Sequence, residues 1–359
     1  MKILCAGGGT MGSVTPLIAI IEQLKKQGRE VAVLFVGTSR GPERRVIAHC
    51  GYRFVSIASG KLRKYVSIHN VFTPFGVAIG CIQSLLLVWK EKPDIILTAG
   101  SFVAVPVAWA GKILHVPVLV HQQDIHKGLA NRLMERYASK ITVTFQETLH
   151  EFENTKTVWT GNPVRPILLE ARAHDAISRF SLSAQKKTLL VVGGGTGSVW
   201  INHFISDHIN KILEHCQVIH VTGQGKEEYH GDVPDYHVYE FLEYNDMALA
   251  YAVSDAVVCR AGLSTITELS QLSKPAIVIP MPESHQEDNA AYLWQKKAAV
   301  VLDQNDVSWE KFSKALEKVL INQQDRLELS KAISDLTPKD ATEKATLVVE
   351  EMLGLVDAQ

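Results

Sequence analysis

Cysteine is scarce in this chain and scattered. Cys5, Cys50, Cys81, Cys216 and Cys259 form no C-x-x-C pair. Zinc sites and disulfide frameworks need clustered cysteines, so neither is expected. Each thiol reads as a small buried hydrophobe in a reducing compartment. Excess charge is missing as well. Lysine and arginine number 37 against 38 aspartates and glutamates, so no global field draws in nucleic acid. No segment is of low complexity, and no D-x-D pair offers carboxylates to a metal, so no cofactor or metal is expected. The start does not read as a secretion signal. Lys2 is followed by four apolar residues and then three glycines, short of the apolar core that a signal needs.

What is present is the composition of a folded protein. Of 359 residues, 46% are hydrophobic and 21% charged, enough for two domains with sizeable cores. "KILCAG" is a continuous apolar run ending in glycine, the pattern of a strand buried on both faces. Val14 to Gln27 follows with helical spacing at Leu17, Ile20, Ile21 and Leu24, and Gly28 stops it. "EVAVLFVG", "DIILTAG", "PVLVHQQ" and "KITVTF" predict further strands. The second half repeats the plan with "TLLVVGGG", "CQVIHVTG", "HVYEF", "DAVVCRAG", "PAIVIPMP" and "AAVVLD". "DMALAYAVS" and "LSTITELSQLS" predict helices between them. Such alternation predicts parallel, doubly wound sheets. "GNPVRPILLEARAHD" breaks the pattern at the midpoint. The expected domains are therefore residues 1–163 and 164–340. A last amphipathic helix, residues 341–359, is expected to pack back on the first domain.

The strand–glycine loop–helix unit occurs twice, half a chain apart. "GGGTMG" places Gly7, Gly9 and Gly12 in G-x-G-x-x-G spacing, and "GGGTGS" is one residue shorter. Glycines let a backbone approach a ligand, and a helix N-terminus offers free amides, which suits a phosphate or diphosphate. A nicotinamide site wants an acid at the end of the second strand. That strand ends "FVGTSRGPE", with no acid before Glu43, which counts against NAD; Arg40 leaves NADP open. A third signal is "CRAGLSTITE". Gly262, Ser264 and Thr265 open a helix, and Glu268 lies one turn further on, where a carboxylate can hold a ribose diol. "HQEDNA" adds His285, Gln286 and Asn289, groups of the kind that read sugar hydroxyls. Each loop also has a plain structural reading as a tight turn, and Glu268 as a first-turn helix acid.

The strings "GGGTMGSVTPLIAI", "HQQDIHKGLANRL", "GNPVRP", "VVGGGTGSVWIN", "CRAGLSTITEL" and "HQEDNA" stand in one order along nearly the whole chain. In that order they resemble the MurG-type glycosyltransferases. The resemblance implies a GT-B fold, two Rossmann-like α/β domains facing a cleft. It implies an inverting enzyme of peptidoglycan synthesis that moves GlcNAc from UDP-GlcNAc to undecaprenyl-pyrophosphoryl-MurNAc-pentapeptide. By resemblance, Leu242 lies against uracil, Glu268 binds the ribose, and Arg165 is a nucleotide contact. Gly195, Thr196, Leu263, Ser264 and Thr265 hold the diphosphate, and Gln286 with His285 reads the sugar. By the same resemblance Thr10 and Gly12 face the donor across the cleft, the first loop meets the pyrophosphate of the polyprenyl-linked acceptor, and Met11, Asp124 and Asn131 are further expected substrate contacts. The family histidine is here Ser13, and the family's HEQN is HQQD, with Gln122 for the acid and Asp124 for the amide. Serine alone is no base near neutral pH. Asp124 is therefore the expected general base, ahead of His126 and His121. A different lipid or natural-product acceptor, and a catalytically dead nucleotide-binding homologue, are the competing readings.

One stretch bears on location. "VFTPFGVAIGCIQSLLLVWK", Val71 to Lys90, is apolar for most of a membrane-spanning length. Lys61, Arg63 and Lys64 precede it, and Lys90 and Lys92 follow. A span, a buried helix and an apolar–basic surface docked on a bilayer are all open on the sequence. The expected partner is a membrane surface met through residues 61–92, at the cytoplasmic face, peripherally.

Overall fold

The computed structural model describes residues 1–59, 69–226 and 233–356. They form two compact units. The first holds Met1–Arg165 with Lys339–Gln359, and the second holds Pro166–Pro338.

The first unit is built on a seven-stranded sheet of β1 (Lys2–Ala6), β2 (Ala32–Gly37), β3 (Arg53–Ser56), β4 (Ile95–Thr98), β5 (Val118–Gln122), β6 (Lys140–Val143) and β7 (Thr157–Trp159). Their order is β3-β2-β1-β4-β5-β6-β7, and every pairing is parallel. Its helices are α1 (Thr15–Lys26), α2 (Glu43–His49), α3 (His69–Glu91), α4 (Ala104–Ile113) and α5 (Leu129–Met134). The alternation of side chains along a strand explains why the run "ILCA" is apolar throughout. Ile3 and Cys5 face a core made with Leu17, Ile18 and Ile21 of α1. Leu4 and Ala6 face the opposite core, with Val103, Val107 and Val120.

The second unit carries β8 (Thr188–Val192), β9 (Gln217–Val221), β10 (Tyr236–Tyr239), β11 (Ala256–Cys259), β12 (Ala276–Val278) and β13 (Val300–Val301). The order β10-β9-β8-β11-β12-β13 repeats that of the first sheet, again wholly parallel. Its helices are α6 (Pro166–Glu170), α7 (Ala173–Phe180), α8 (Val199–Asp207), α9 (Ile209–Leu213), α10 (Tyr244–Val253), α11 (Leu263–Leu272), α12 (Gln286–Gln295), α13 (Trp309–Leu316) and α14 (Gln323–Ser334). The chain then re-enters the first unit as α15 (Ala341–Met352), whose Ala345, Val348 and Val349 join the core of α1. Arg29 also pairs with Glu350 at 2.8 Å.

All the strands read from the sequence are present. The two it did not offer, β3 and β7, are short edge strands whose residues stay partly exposed. An edge strand needs no continuous apolar run, so "RFVS" and "TVW" leave little trace.

The apolar stretch is helix α3. Among the described residues, no helix is long and apolar enough to cross a membrane. Nor is α3 a wholly buried helix. Gly80, Ser84 and Val88 face the unit, whereas Ile79, Ile82, Leu86 and Trp89 are 50–65% exposed. Lys90 and Lys92 are exposed at its end, while Lys61, Arg63 and Lys64 lie outside the described residues. Close approach holds the inner face. A Cβ on Gly80 would stand 2.2 Å from the Ala58 carbonyl oxygen. Gly80→Ala is therefore expected to cost about 1–3 kcal/mol by overpacking, read as a lower melting temperature.

Candidate functional site

In a doubly wound sheet the ligand edge lies at the carboxyl ends of the strands, where the strand order reverses. In the second unit that point is between β8 and β11. The turn after β8 can be made only by glycine at two positions. Gly194 has φ +87° and Gly197 φ +71°, and a Cβ on Gly197 would meet the Thr222 carbonyl oxygen at 1.9 Å. Gly195 and Thr196 stand exposed at the tip. Ser198 then caps α8, its Oγ accepting from the Ile201 amide at 3.3 Å.

Beneath this loop lies Arg260, buried at the end of β11. Its guanidinium donates to Ser198 Oγ at 2.8 Å, Gln304 Oε1 at 2.6 Å, and the carbonyls of Ile279 and Pro280 at 3.0 and 2.9 Å. No carboxylate among the described residues pairs with it. A guanidinium keeps its charge in proteins, so a positive centre sits under the loop, although burial pushes its pKa down.

The next helix start, α11, is capped by Gly262, which has no side chain to take its first amides. Ser264 Oγ is buried with no partner there, and Leu263 and Thr265 are buried beside it. Glu268 follows one turn on. The residue keeps some exposed surface, but protein packed around its carboxyl governs its charge. Desolvation raises its pKa to about 7, against a hydrogen bond from Tyr251 that lowers it. Leu242, in the loop after β10, is buried, next to an exposed Phe241. The "HQEDNA" residues divide. His285 is exposed, Gln286 turns its Oε1 back to the Met281 amide at 3.1 Å, and Asn289 is buried with its amide on the Ala261 carbonyl at 3.1 Å. In this structure Asn289 thus ties α12 to the loop before α11.

In the first unit the same edge gathers the loops after β1, β4 and β5. Thr10 is exposed, Met11 and Gly12 are half-buried, and Gly9 has φ +83°. Ser13 is buried and turned inward, its hydroxyl donating to the carbonyls of Thr10 at 3.1 Å and Gly8 at 3.4 Å. The acid noted only as too late for a dinucleotide site, Glu43, has a different task. Its buried carboxylate accepts from the Gly9 amide at 3.2 Å and from the Thr38 amide at 2.8 Å, pinning the glycine loop to β2. Nothing in its spacing announced that.

The β5 loop explains one departure from the family pattern. Gln122 donates through Nε2 to the carbonyls of Asp124 and His126, both at 2.8 Å. An ionised carboxylate accepts only and could not make these bonds. Asn131 donates to Gln122 Oε1 at 2.6 Å and to the His121 carbonyl at 3.2 Å, and its own Oδ1 is buried without a partner. His121 is buried with Nδ1 on Thr142 at 2.9 Å and Nε2 on Asn162 at 2.8 Å. Burial lowers its pKa to about 4. Asp124 is half-buried, and His126 is exposed with Nδ1 2.8 Å from Glu151 Oε1. Arg165, expected on the nucleotide, is committed within its unit to Glu22 of α1 through Nε at 2.9 and 3.0 Å and through Nη2.

Two family profiles match the chain. The glycosyltransferase family 28 N-terminal domain covers residues 3–143, and the glycosyltransferase family 28 C-terminal domain covers residues 188–347. The chain is 36% identical to the UDP-N-acetylglucosamine–N-acetylmuramyl-(pentapeptide) pyrophosphoryl-undecaprenol N-acetylglucosamine transferase of Lachnospira eligens, over 89% of this chain and 90% of that one. It is 34% identical to the protein of the same description from Clostridium kluyveri, over 98% and 99%. Among solved structures, Acinetobacter baumannii MurG superposes with a TM-score of 0.71 at 24% identity, covering 98% of this chain and 99% of that one. The fold is therefore GT-B.

Glu268 supplies a test of the electrostatics. A carboxyl whose folded pKa is raised adds stability below its unfolded pKa, and that stability is lost as pH climbs through the folded value, here about 7. Wild-type stability should fall between about pH 5 and pH 8 by up to about 3 kcal/mol from this group. Glu268→Gln should flatten that loss in denaturant titrations at the two pH values.

Proposed function

The chain belongs to glycosyltransferase family 28, and from that premise we propose that it moves N-acetylglucosamine from UDP-GlcNAc to undecaprenyl-pyrophosphoryl-MurNAc-pentapeptide, the lipid I to lipid II step of peptidoglycan synthesis. What carries this reading is near-full-length identity of 34–36% to enzymes described by that transfer. Purified protein given UDP-GlcNAc and the MurNAc lipid should release UDP and form the disaccharide lipid. No transfer to that acceptor would reject the reading.

In this proposal the second unit holds the donor. Transfer forms a bond from an acceptor hydroxyl oxygen to the anomeric carbon and breaks the bond from that carbon to the diphosphate. Inversion follows from attack on the opposite face. Negative charge grows on the departing UDP. The uncapped amides of Leu263, Ser264 and Thr265, the loop of Gly195 and Thr196, and the Arg260 charge beneath it suit that anion. The partnerless Ser264 hydroxyl is a donor ready for a phosphate oxygen. Glu268 takes the ribose diol, Leu242 lies against uracil, and His285 with Gln286 reads the sugar. The first unit offers Thr10, Met11, Gly12 and Asn131 to the acceptor. Its hydroxyl proton goes to a base in the β5 loop, which carries Asp124 and His126.

The bare face of α3 suits a bilayer surface. Ile79, Ile82, Leu86 and Trp89 form an apolar stripe, and Lys90 and Lys92 add positive charge beside it. In this proposal the protein works peripherally at the cytoplasmic face of the membrane. Replacing Ile82 and Leu86 by Glu should reduce co-sedimentation with anionic vesicles while sparing transfer to a short-chain, water-soluble acceptor. Equal sedimentation of the variant and the wild type would sink the assignment.

Donor binding gives a sharper check. The diphosphate of UDP-GlcNAc does not titrate near neutrality, so a pH-dependent donor KM reports on the protein. Ionised Glu268 accepts two hydroxyl hydrogens and its protonated form does not, so donor KM should fall as pH rises through about 7. Glu268→Ala should raise donor KM about 10- to 100-fold, the loss of charge-assisted hydrogen bonds. Unchanged KM would remove Glu268 from the donor site.

A further inference from the structure

The glycine loop after β8 does not stand alone. The turn after β9, residues 222–226, is packed against it, and glycine makes the fit possible on both sides. Gly223 has φ +94°, and a Cβ on it would stand 2.6 Å from the Thr196 carbonyl oxygen and 2.6 Å from the Gly197 Cα. Asn202 of α8 fixes the turn from the helix that the loop leads into. It is buried, and its amide group donates to the carbonyls of Thr222 at 3.0 Å and Lys226 at 3.1 Å. The Lys226 amide donates in turn to the Gly223 carbonyl at 3.1 Å. The backbone of Lys226 is thus held through both its amide and its carbonyl.

That anchoring sets where the half-buried Lys226 side chain goes. Its Nζ donates to the Gly197 carbonyl at 3.1 Å. An ammonium carries three hydrogens, and this bond uses one. Glu240, the acid that follows β10, turns its Oε1 to the Gly225 amide at 3.1 Å instead. No carboxylate among the described residues pairs with Lys226. At the next residue of the loop, the Arg260 guanidinium donates to Ser198 Oγ at 2.8 Å. Consecutive residues at the end of the loop therefore each meet a cation, Lys226 at Gly197 and Arg260 at Ser198.

We infer that Lys226 is a second cation for the donor's diphosphate, acting as UDP departs. The inference rests on the transferase reading above and deepens it. The acceptor oxygen bonds to the anomeric carbon as its proton passes to the base. The bond from that carbon to the diphosphate breaks, and its electron pair stays on the phosphate oxygen. UDP then bears one negative charge more than the diphosphate of the unreacted donor. Arg260 is buried and fixed by neutral acceptors, so it contributes a constant field. Lys226 has a flexible stem and hydrogens still to give, and it turns them to the oxygen on which the charge appears. Its contribution is therefore larger for UDP than for UDP-GlcNAc.

The test uses the full-length protein at pH 8, above the second ionisation of a terminal phosphate at about 6. Calorimetric titration with UDP and with UDP-GlcNAc reads the site without an acceptor, and transfer to the MurNAc lipid reads the reaction. Lys226→Met should raise the UDP Kd about tenfold or more, the loss of one charge-assisted hydrogen bond. The UDP-GlcNAc Kd should rise about threefold at most, and kcat should fall about tenfold. The variant's UDP Kd should depend less on ionic strength than that of the wild type, with melting temperature held. Lys226→Arg keeps the charge and should stay within about threefold of the wild type for UDP. Lys318→Met removes an exposed cation elsewhere in the unit and should match the wild type throughout. A merely structural clip between turn and loop would weaken both ligands equally, leave the salt dependence alone and lower the melting temperature. That pattern, or a UDP Kd within about twofold of the wild type in Lys226→Met, would overturn the inference, while transfer by the wild type keeps the reading. No transfer by the wild type, with UDP bound in a Lys226-dependent way, would overturn the reading and keep the cation.

Discussion

A parallel strand ends at the opposite edge of the sheet from where its neighbour must begin. Every crossover therefore needs a return element, and every strand delivers its carboxyl end to the same edge. Both sheets here are wholly parallel with matching order. The glycine loops follow the first strand of each unit, β1 and β8, at the place where the order reverses. From that constraint comes the gathering of loop residues from distant sequence. Arg260, Ser198, Gln304 and the start of α11 meet under one loop in the second unit. Glu43, Ser101 and Ser13 meet around another in the first, where Ser101 Oγ donates to the Gly8 carbonyl at 2.7 Å.

The two loops look alike in sequence and have different surroundings. The one after β8 has a buried cation beneath it and exposed Gly195 and Thr196 at its tip. On the proposed reading it receives the negative charge of the donor. The one after β1 already has a carboxylate on the Gly9 amide. An anion at that amide would compete with Glu43 and be repelled by it. On the proposed reading Thr10, Met11 and Gly12 are left for substrate contact, while the Gly9 amide is already taken by Glu43. Repetition of a motif thus reported repeated folding, while the charge around each copy is opposite in sign.

Continuous apolar strands such as "TLLVV" and "KILCA" were legible because both faces of each are buried, so period and composition agree. Edge strands "RFVS" and "TVW" were not, because exposure dilutes the apolar signal. The start of α11 and the position of Glu268 could be read from spacing, since a helix turn fixes both. Partnerships between distant residues could not. Nothing local in "CRAG" says that Arg260 reaches Ser198 and Gln304, 62 and 44 residues away. Nothing in "HEFENT" says that Glu151 faces His126 across 25 residues. Asp124 drew notice because an acid appeared where the family has an amide. The structure shows that the paired change, Gln122, is what shapes the loop, by donating to two carbonyls that an acid would repel.

In the second unit a buried cation and a carboxyl of raised pKa each sit on neutral partners. A buried guanidinium facing neutral acceptors is costly, because its desolvation is not repaid by a counter-charge. A carboxyl held near pKa 7 at Glu268 is costly for the same reason with the opposite sign. Had the two served stability alone, pairing them with each other would have been the cheaper solution. Instead each is bonded to neutral groups, Arg260 to carbonyls and side-chain oxygens and Glu268 to Tyr251. On the reading proposed above, a diphosphate would supply a counter-charge for the first, and a diol would supply hydrogen-bond donors for the second without adding charge. A nucleoside diphosphate carries both groups in one molecule, joined through the ribose at the 5′ carbon. One ligand of that kind would satisfy both groups together, a basis for selectivity in charge and hydrogen bonding.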